Sequence, residues 1–493
     1  MNETQAKEKW YTGVTRYQWL VLAICAIGWM FDIFEGQIFV ASMNEAMPSF
    51  LKDIPLELRG DKAEFYNSVA MASFLLGGTL GGIVFGMMSD RIGRKRAMAW
   101  SILFYSFFTW TTAFSVEWWH LAALRFFVAI GVGGQWAVAS TYVAETFPSK
   151  ARAHAASIFH AFGSMGTLLA AVVGTLILGN TVVLAWCQTS FLMTWLHHWY
   201  EPTTLPWRLC FTVGLLPSIV VFFIFAWLKE PESWKAVQEQ RKKDPKQKVG
   251  EISELFKNET IRATIVGVTL AAIGMATMWA IHVRGKDALK LAVQNKMIAE
   301  GLVPFATETV TGIGPNGEEV ERIKETERYA LTETQITELK RWEMLGMALT
   351  SIGMLLGQLY FGPLSQKIGR KNAFVVFHLG GFAITVIVFQ WVSDIHLLYV
   401  LLPVFGFLTA GMYSGYSVYF PELYPTRLRG TGTGFCFNMG RLMASPFILA
   451  GGWLVTYGGL TLSSATTILG FLYLLGPMVL LFARETKGQE LME

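Results

Sequence analysis

Three ionisable residues lie inside long apolar stretches of the N-terminal part of the chain. Asp32 and Glu35 share one stretch, and Arg125 lies in another. A charge at membrane depth is costly unless it is paired or hydrated, so such residues are functional candidates. At about 1.5 Å of rise per residue, Asp32 and Arg125 reach a similar depth. Together with Glu35 they could bind and release a proton, or they could form only a structural ion pair between two helices.

A fourth charge, Arg441, lies near the middle of a later apolar stretch, with Asn438 three residues before it. We find no acidic residue at that depth in the second half of the chain, and an unpaired arginine favours an anion such as a carboxylate. Alternatively, backbone carbonyls, Asn438 and water satisfy Arg441. Other polar or aromatic residues predicted to face the same cavity, each of which could equally serve helix packing, are Gln135, Trp136, His160, Gln358, Tyr413 and Tyr416.

The elements that must position these residues are membrane-spanning helices. Of 493 residues, 53% are hydrophobic and only 15% are charged, with a mean hydropathy of +0.41. This composition argues against a soluble enzyme, a disordered chain or a disulfide-rich secreted protein. A helix needs about 20 apolar residues to cross a bilayer. Twelve stretches qualify, near 17–40, 65–89, 97–115, 119–144, 155–179, 206–228, 261–283, 342–364, 372–393, 397–420, 431–456 and 459–483.

The distribution of lysine and arginine predicts the orientation. Alternate short connections are rich in basic residues, as is the segment 230–260, whereas the short connections on the other side carry almost none. By the positive-inside rule, both termini and this linker are cytoplasmic. We therefore expect an integral protein of the plasma membrane, which in a bacterium is the inner membrane.

Two segments on the predicted outer side are unusual. Residues 181–205 are apolar but interrupted by polar residues and prolines, which favours a helix lying at the membrane interface. Residues 284–340 form a polar extracytoplasmic insertion between helices 7 and 8. Within it, Asn316-Gly317 predicts a hairpin turn, and Thr332 with Gln335 predicts a capping box at the start of the next helix.

Two motifs occur twice at nearly the same offset. The segment 86–95 is repeated at 362–371, and Glu145–Arg152 is repeated at Glu422–Arg429, offset by 276 and 277 residues. A duplicated six-helix unit is the parallel repeat of transporters whose halves rock around a central site. The fold class is therefore an all-α membrane protein of two pseudo-symmetric halves, with domains at 1–229, 230–260 (the basic linker) and 261–493.

The motif G-x-x-x-D-R-x-G-R-K, which begins at Gly86, resembles the signature of the major facilitator superfamily. Asp32-Ile-Phe-Glu35, Arg125 and Asn438-Met-Gly440-Arg441 are similar to motifs of its proton-coupled metabolite symporters, which include aromatic-acid, monocarboxylate and sialic-acid carriers in the sugar-porter-like group. The resemblance implies uptake of a small organic anion by rocking alternating access, with Asp32, Glu35 and Arg125 coupling transport to a proton. The chain departs from these families at Glu35, Gln135 and Gln366.

The repeated motifs place opposite charges at helix ends where the two halves meet. We interpret them as a cytoplasmic gate that closes when the site faces outward, although topology and helix capping alone would also explain the basic members. The predicted gate residues are Asp90, Arg91, Arg94, Glu145, Arg152, Arg370, Glu422 and Arg429.

Other classes of function have little support in the sequence. No nucleophile with an adjacent base appears, and the four cysteines have no metal-like or disulfide-like spacing, so neither an enzyme nor a metal cofactor is expected. A net charge of +4 does not argue for nucleic acid. A sugar or neutral polyol symporter stays open as an alternative, as does a non-transporting nutrient sensor. The identity of the substrate is not encoded in any motif.

Overall fold

The structure is a computed structural model that describes residues 9–53, 56–178, 181–190, 196–244, 249–303, 305–313, 319–329, 331–456 and 460–492. The helices of the N-terminal half and the linker are α1 Arg16–Ser49, α2 Leu56–Ile92, α3 Arg94–Thr112, α4 Trp118–Thr146, α5 Ser149–Ala161, α6 Gly163–Ile177, α7 Thr181–Thr189, α8 Leu205–Val213, α9 Ser218–Trp227 and α10 Glu232–Lys243. The helices of the C-terminal half are α11 Ile261–Ala280, α12 Gly285–Ala299, α13 Glu333–Ile368, α14 Arg370–Val386, α15 Ile395–Ala410, α16 Tyr413–Glu422, α17 Arg429–Thr456, α18 Leu462–Gly470 and α19 Leu472–Leu481.

Apolar composition and length make most of these helices suitable for crossing a bilayer. Within the described ranges, ten helical stretches are long and apolar enough to do so. Several consist of two shorter helices, such as α5 and α6, which meet at Phe162. Helices α3 and α17 pack within the same bundle. The count of twelve transmembrane helices stays a prediction.

Side-chain caps define where two of the long helices begin. The Thr15 hydroxyl accepts a hydrogen bond from the backbone N–H of Gln18 at 3.2 Å, and the Gln18 side-chain oxygen accepts one from the backbone N–H of Thr15 at 2.8 Å. The predicted capping box of Thr332 and Gln335 is confirmed at the start of α13, with distances of 3.3 and 2.9 Å. Each box satisfies backbone N–H groups that have no acceptor within the helix.

The repeat is visible in the backbone at Gly93 and Gly369. Both have positive φ, +108° and +97°, and each separates two successive helices. Glu230 accepts hydrogen bonds from the backbone N–H of the residues after Gly93, and Glu485 does the same after Gly369. A carboxylate at a helix N-terminus is favourable because it faces free N–H groups and the positive end of the helix dipole.

The segments on the predicted outer side are only partly helical. Residues 181–205 contain the short helix α7 and two turns of 3₁₀-helix rather than one continuous interfacial helix. The segment 284–340 contains α12 and an antiparallel hairpin of β1 Phe305–Ile313 and β2 Glu319–Tyr329. The predicted all-α class therefore describes the apolar helices, whereas the segment 284–340 also contains two β-strands. The predicted turn at Asn316-Gly317 lies outside the described residues.

The two halves contact each other mainly on one side. Helix α2 packs along α17, and α5 packs along α13. Helix α6 continues α5 toward the other side, and its main contacts are with α1 and α8 of its own half. The halves are thus closed at the predicted cytoplasmic side and diverge toward the predicted outer side, which is the arrangement of an outward-facing transporter.

Candidate functional site

Arg125 forms its ion pair with Glu35. Its guanidinium nitrogens donate to both Glu35 oxygens, and the Thr109 hydroxyl donates to Oε1 at 3.0 Å. The guanidinium carbon lies over the rings of Phe39 and Phe74, at 4.9 and 4.5 Å from their centroids. Both charged side chains are buried. The pair is therefore held by a hydroxyl and two aromatic faces in addition to its own charges.

Asp32 is separate from this pair, contrary to the expected Asp32–Arg125 contact. Its side chain is buried, and neither carboxyl oxygen has a hydrogen-bond partner among the described residues. The Tyr105 hydroxyl is the polar group beside this carboxyl group, and it has no other hydrogen-bond partner among the described residues. A buried carboxyl group without a counter-charge is costly in its charged form, so it is suited to carry a proton.

The difference has a geometric reason. The depth estimate counted Asp32 from the predicted cytoplasmic start of the first helix and Arg125 from the predicted outer start of α4, without any shift of one helix along the other. Three residues of helix span about 4.5 Å along its axis. The ion pair places Arg125 at the level of Glu35 rather than Asp32, so the estimate was wrong by about this distance.

Arg441 lies between the two halves, where α17 crosses α2. No carboxylate or hydrogen-bond acceptor contacts it within the described ranges, and its closest ring is that of Phe437, 5.6 Å from the guanidinium carbon. A Cβ added at Gly78 would lie 2.6 Å from Arg441 Nη1, and one at Gly82 would overlap the amide of Asn438. Two glycines of α2 thus provide the space for both polar side chains. Asn438 donates to the Gly434 carbonyl at 2.9 Å, while its own oxygen has no partner in the described structure.

Aromatic residues from both halves meet beside Arg441. Trp136 of α4 stacks on Phe437 of α17 with 3.7 Å between ring centroids. The Trp136 indole N–H donates to Nδ1 of His160 at 3.1 Å, and the His160 ring lies 6.2 Å from that of Tyr413. We call Trp136, His160, Tyr413, Phe437 and Arg441 the central cluster.

The remaining predicted cavity residues serve helix packing to different degrees. Gln135 accepts a hydrogen bond from Ser101 at 3.1 Å, so it contacts α3. Tyr413 and Tyr416 donate to backbone carbonyls of α11 at 3.1 and 3.2 Å. The side-chain oxygen of Gln358 is buried and has no partner among the described residues. Tyr413 and Tyr416 therefore have packing contacts, whereas among the described residues Gln135 keeps an unused donor nitrogen and Gln358 an unused acceptor oxygen.

Most predicted gate residues form two buried ion-pair clusters, which together we call the gate network. In the N-terminal half, Arg94 donates two hydrogen bonds to Glu145, at 2.8 and 3.1 Å, and one to Asp90 at 2.6 Å. Glu145 also accepts from Arg429 of the other half at 2.7 Å. Asp90 accepts from the backbone of Thr431 at 2.8 Å. These contacts join the start of α17 to the N-terminal half.

The repeated motif forms a matching arrangement in the C-terminal half. Arg370 donates to both oxygens of Glu422 at 2.9 and 3.1 Å and to Gln366 at 2.9 Å. Arg152 of the N-terminal half lies 3.7 Å from Glu422. One glutamate per half is thus shared between an arginine of its own half and an arginine of the other.

Arg91 is the exception among the predicted gate residues. Its side chain is exposed, and its Nε donates to the Val249 carbonyl in the linker at 3.4 Å. The ion-pair network of the described residues does not include it, because Arg91 lies on the outward face of α2 while Asp90 faces the bundle. Its position is that of a charge that anchors the linker.

Residues 489–492, which we call the C-terminal segment, contact residues of both clusters, a feature that the motifs did not predict. The carbonyl of Met492 accepts hydrogen bonds from Arg429 at 2.6 Å and from the Thr426 backbone at 3.1 Å. Arg152 donates to the Gln489 carbonyl at 3.3 Å, and Ser149 donates to Glu490 at 3.1 Å. The C-terminal segment therefore contacts both halves.

Sequence reasoning also missed the polar residues of α3 that face Gln135 and the two buried carboxyl groups. Ser101, Tyr105 and Thr109 recur every fourth residue and are all buried. A polar stripe with helical spacing inside a transmembrane helix was the available signal, because such side chains face protein rather than lipid. Within the described ranges, no group of three His, Cys, Asp or Glu side chains could hold a metal ion.

Comparison with known proteins places this geometry in a family. The model of the Major Facilitator Superfamily matches residues 36–306 and 339–491. The chain is 27% identical over 438 residues to the cis,cis-muconate transport protein of Acinetobacter baylyi, covering 87% of this chain and 89% of that protein. It is 24% identical over 471 residues to a sialic acid transporter of Escherichia coli, covering 94% of each.

Among solved structures, the fold is similar to that of a proton:xylose symporter, with a TM-score of 0.66 at 16% identity, covering 96% of this chain and 98% of that one. The family model extends over most of both halves, and the relatives are transporters rather than enzymes. The chain therefore belongs to the Major Facilitator Superfamily and is an integral membrane transporter, not an enzyme.

Proposed function

We propose that this protein is a proton-coupled symporter that takes up a small organic anion across the plasma membrane. The observation that carries the proposal is Arg441, a guanidinium between the two halves with no acidic partner in the described structure. An arginine in that position is stabilised by a carboxylate, which can accept two parallel hydrogen bonds. Relatives that carry muconate and sialic acid support an acidic substrate.

The central cluster gives the substrate a second point of contact. The Trp136–Phe437 stack joins α4 to α17 beside Arg441, so both halves contribute to the aromatic surface on which a substrate would lie. A bound acid would lie with its carboxylate on Arg441 and its body on these rings. Rocking of the halves would separate the stack and open the path to the cytoplasm.

Proton coupling is assigned to Asp32. Glu35 is already neutralised by Arg125, whereas Asp32 has no counter-charge among the described residues. Moving an uncompensated carboxylate through an apolar interior is unfavourable, so the loaded transporter changes sides once Asp32 is protonated. Glu35 and Arg125 then act as a fixed pair that holds α1 to α4. The gate network breaks when the site opens to the cytoplasm, where Asp32 releases its proton and the substrate leaves.

The anion assignment is tested by ligand-induced thermal stabilisation of the purified protein. The probes are cis,cis-muconate, sialic acid, nicotinate and benzoate, with D-xylose as a neutral control. A ligand that binds only the folded state raises stability in proportion to the logarithm of its concentration over Kd. We expect an acid to stabilise the native protein and to lose this effect in Arg441→Gln. The matched control is Arg241→Gln, which removes an exposed arginine of α10.

Stabilisation by the acid that survives in Arg441→Gln would refute the anchor. Stabilisation by D-xylose alone would favour a sugar symporter and leave Arg441 as a structural residue. Coupling is tested separately in proteoliposomes with an imposed pH gradient and the acid found above. We expect Asp32→Asn to abolish uphill uptake while counterflow persists, and uphill uptake by Asp32→Asn would refute the coupling assignment.

A further inference from the structure

An apolar groove runs along the outside of the C-terminal half, between α11, α17 and α19. It encloses about 710 Å³, and its walls include Ile265, Ala272, Met443, Phe447 and Met478. Ile265 and Met478 are 59% and 61% exposed at this surface. Because the groove lies on membrane-spanning helices, its walls face lipid and a hydrocarbon chain is the species available to fill it.

The groove continues into a polar cavity at its predicted cytoplasmic end. That cavity encloses about 600 Å³ and shares Arg262, Val266 and Phe482 with the groove. Three arginines line it, Arg262, Arg427 and Arg484, against one acidic residue of the same lining, Glu259. Arg262 also belongs to the first turn of α11, where the helix dipole is positive. The cavity is therefore a net positive site directly next to an apolar one.

Two of the three arginines have unused capacity to bind an anion. Arg262 donates from Nε to the Phe482 carbonyl at 2.8 Å, and its terminal nitrogens have no acceptor in the described structure. Arg484 donates to the neutral side chains of Gln489 at 3.0 Å and Met492 at 3.6 Å, the second a weak sulfur acceptor, and it has no acidic partner among the described residues. Arg427 differs, because it pairs with Glu254 at 3.1 Å.

We propose that this composite site binds an anionic phospholipid of the cytoplasmic leaflet. The phosphate diester would lie between Arg262 and Arg484, and one acyl chain would occupy the groove between α11, α17 and α19. Basic residues at the cytoplasmic membrane surface attract anionic lipids, and a guanidinium pairs well with phosphate oxygens. The site lies outside the central cluster and does not depend on the identity of the transported substrate.

The test measures lipid retained by the protein after extraction from vesicles of equimolar phosphatidylglycerol and phosphatidylcholine. Native mass spectrometry would count each lipid on the native chain and on Arg262→Gln/Arg484→Gln. The control, Arg241→Gln/Lys242→Gln, removes two exposed charges from α10. We expect the native protein and the control to prefer phosphatidylglycerol, and the double variant to lose this preference by roughly 30-fold.

A third variant tests the acyl chain. Ile265→Trp fills the groove from an exposed wall position, so folding is preserved, and we expect it to lower retention of phosphatidylglycerol. Equal retention of the two lipids by the native protein, or unchanged preference in the arginine double variant, would overturn the proposal. Displacement of phosphatidylglycerol by millimolar inorganic phosphate would also overturn it, because the ligand would then be a soluble anion. Unchanged retention in Ile265→Trp would refute the groove as the chain site.

Discussion

Glu35→Gln and Asp32→Asn neutralise two carboxyl groups that lie one helical turn apart, and the structure predicts unequal effects on stability. Glu35→Gln leaves Arg125, whose side chain is 1% exposed, without a carboxylate in a buried position. Removing one partner of a buried ion pair costs about 3–5 kcal/mol, because the other charge stays desolvated. Thr109 and the two aromatic faces remain, so we expect the lower end of that range.

Asp32→Asn removes no ion pair, because the carboxyl group has none among the described residues. Replacing it with a neutral amide of the same size should change stability by no more than about 1 kcal/mol, in either direction. The assay is thermal unfolding in detergent, followed by tryptophan fluorescence, for the native protein and both variants. The double variant Glu35→Gln/Arg125→Gln is the control, and we expect it to recover most of the loss.

Two results would refute this reasoning. If Asp32→Asn destabilised the protein as much as Glu35→Gln, Asp32 would hold a partner that the structure does not contain. If the double variant were no more stable than Glu35→Gln, the loss would come from altered packing rather than from the unpaired guanidinium. The comparison of single and double variants therefore isolates the charge.

Three further predictions concern the predicted cytoplasmic face. The first uses a Ser157→Cys probe at the buried contact between the halves, in a cysteine-free background, and measures how fast a membrane-permeant thiol reagent modifies it. Arg429→Gln should increase this rate, because the Glu145–Arg429 link is lost. An unchanged rate would contradict the gate. Ending the chain after Lys487 should increase the same rate, since Arg152 and Arg429 lose backbone acceptors; full protection would mean that the segment is dispensable. Glu254→Gln should destabilise the protein near pH 7, because a hydrogen bond from Lys257 and then one from Arg427 lower the pKa of this carboxyl group below its usual 4.5. Its contribution is present above that value and lost as the pH falls through the lowered pKa, so the two unfolding temperatures should converge in acid, and a constant difference would contradict the assignment.

The features that follow from the sequence are those set by periodicity and by repeated local motifs. Apolar length predicts the helices, and the doubled motifs predict that Arg94 and Arg370 occupy equivalent places, as they do. The charge of Arg441 in an apolar stretch indicates a site between the halves without any knowledge of its neighbours. These inferences depend only on the free energy of placing each residue in its own helix.

The features that could not be predicted depend on how helices shift along one another. Which carboxyl group meets Arg125 is decided by an axial offset of about 4.5 Å, slightly less than one helical turn, between α1 and α4. The space for Asn438 is provided by Gly82, on a helix more than 350 residues earlier in the chain. Register between helices is set by packing of whole surfaces, which no single stretch encodes.

The second copy of the repeated motif has Gln366 where the first copy has Asp90. The reason is local: the two equivalent helices that these side chains face begin at different positions of the repeat. Helix α17 begins at Arg429, so the N–H groups of Gly430 and Thr431 are free, and Asp90 accepts from both at 3.0 and 2.8 Å. The first four N–H groups of a helix lack an acceptor within it, and an acid placed there is stabilised.

Helix α5, the counterpart of α17, begins earlier in its repeat, at Ser149. With the offset of 277 residues, the counterparts of Gly430 and Thr431 are Ala153 and His154, which lie beyond the first four positions. Their N–H groups already have acceptors inside the helix, so an acid at position 366 would find none there. Gln366 instead accepts a hydrogen bond from Arg370 at 2.9 Å. In the first turn of α5, the Ser149 hydroxyl donates to the carboxylate of Glu490. The two halves thus close through different contacts, one through a side chain of α2 and the other through the C-terminal segment.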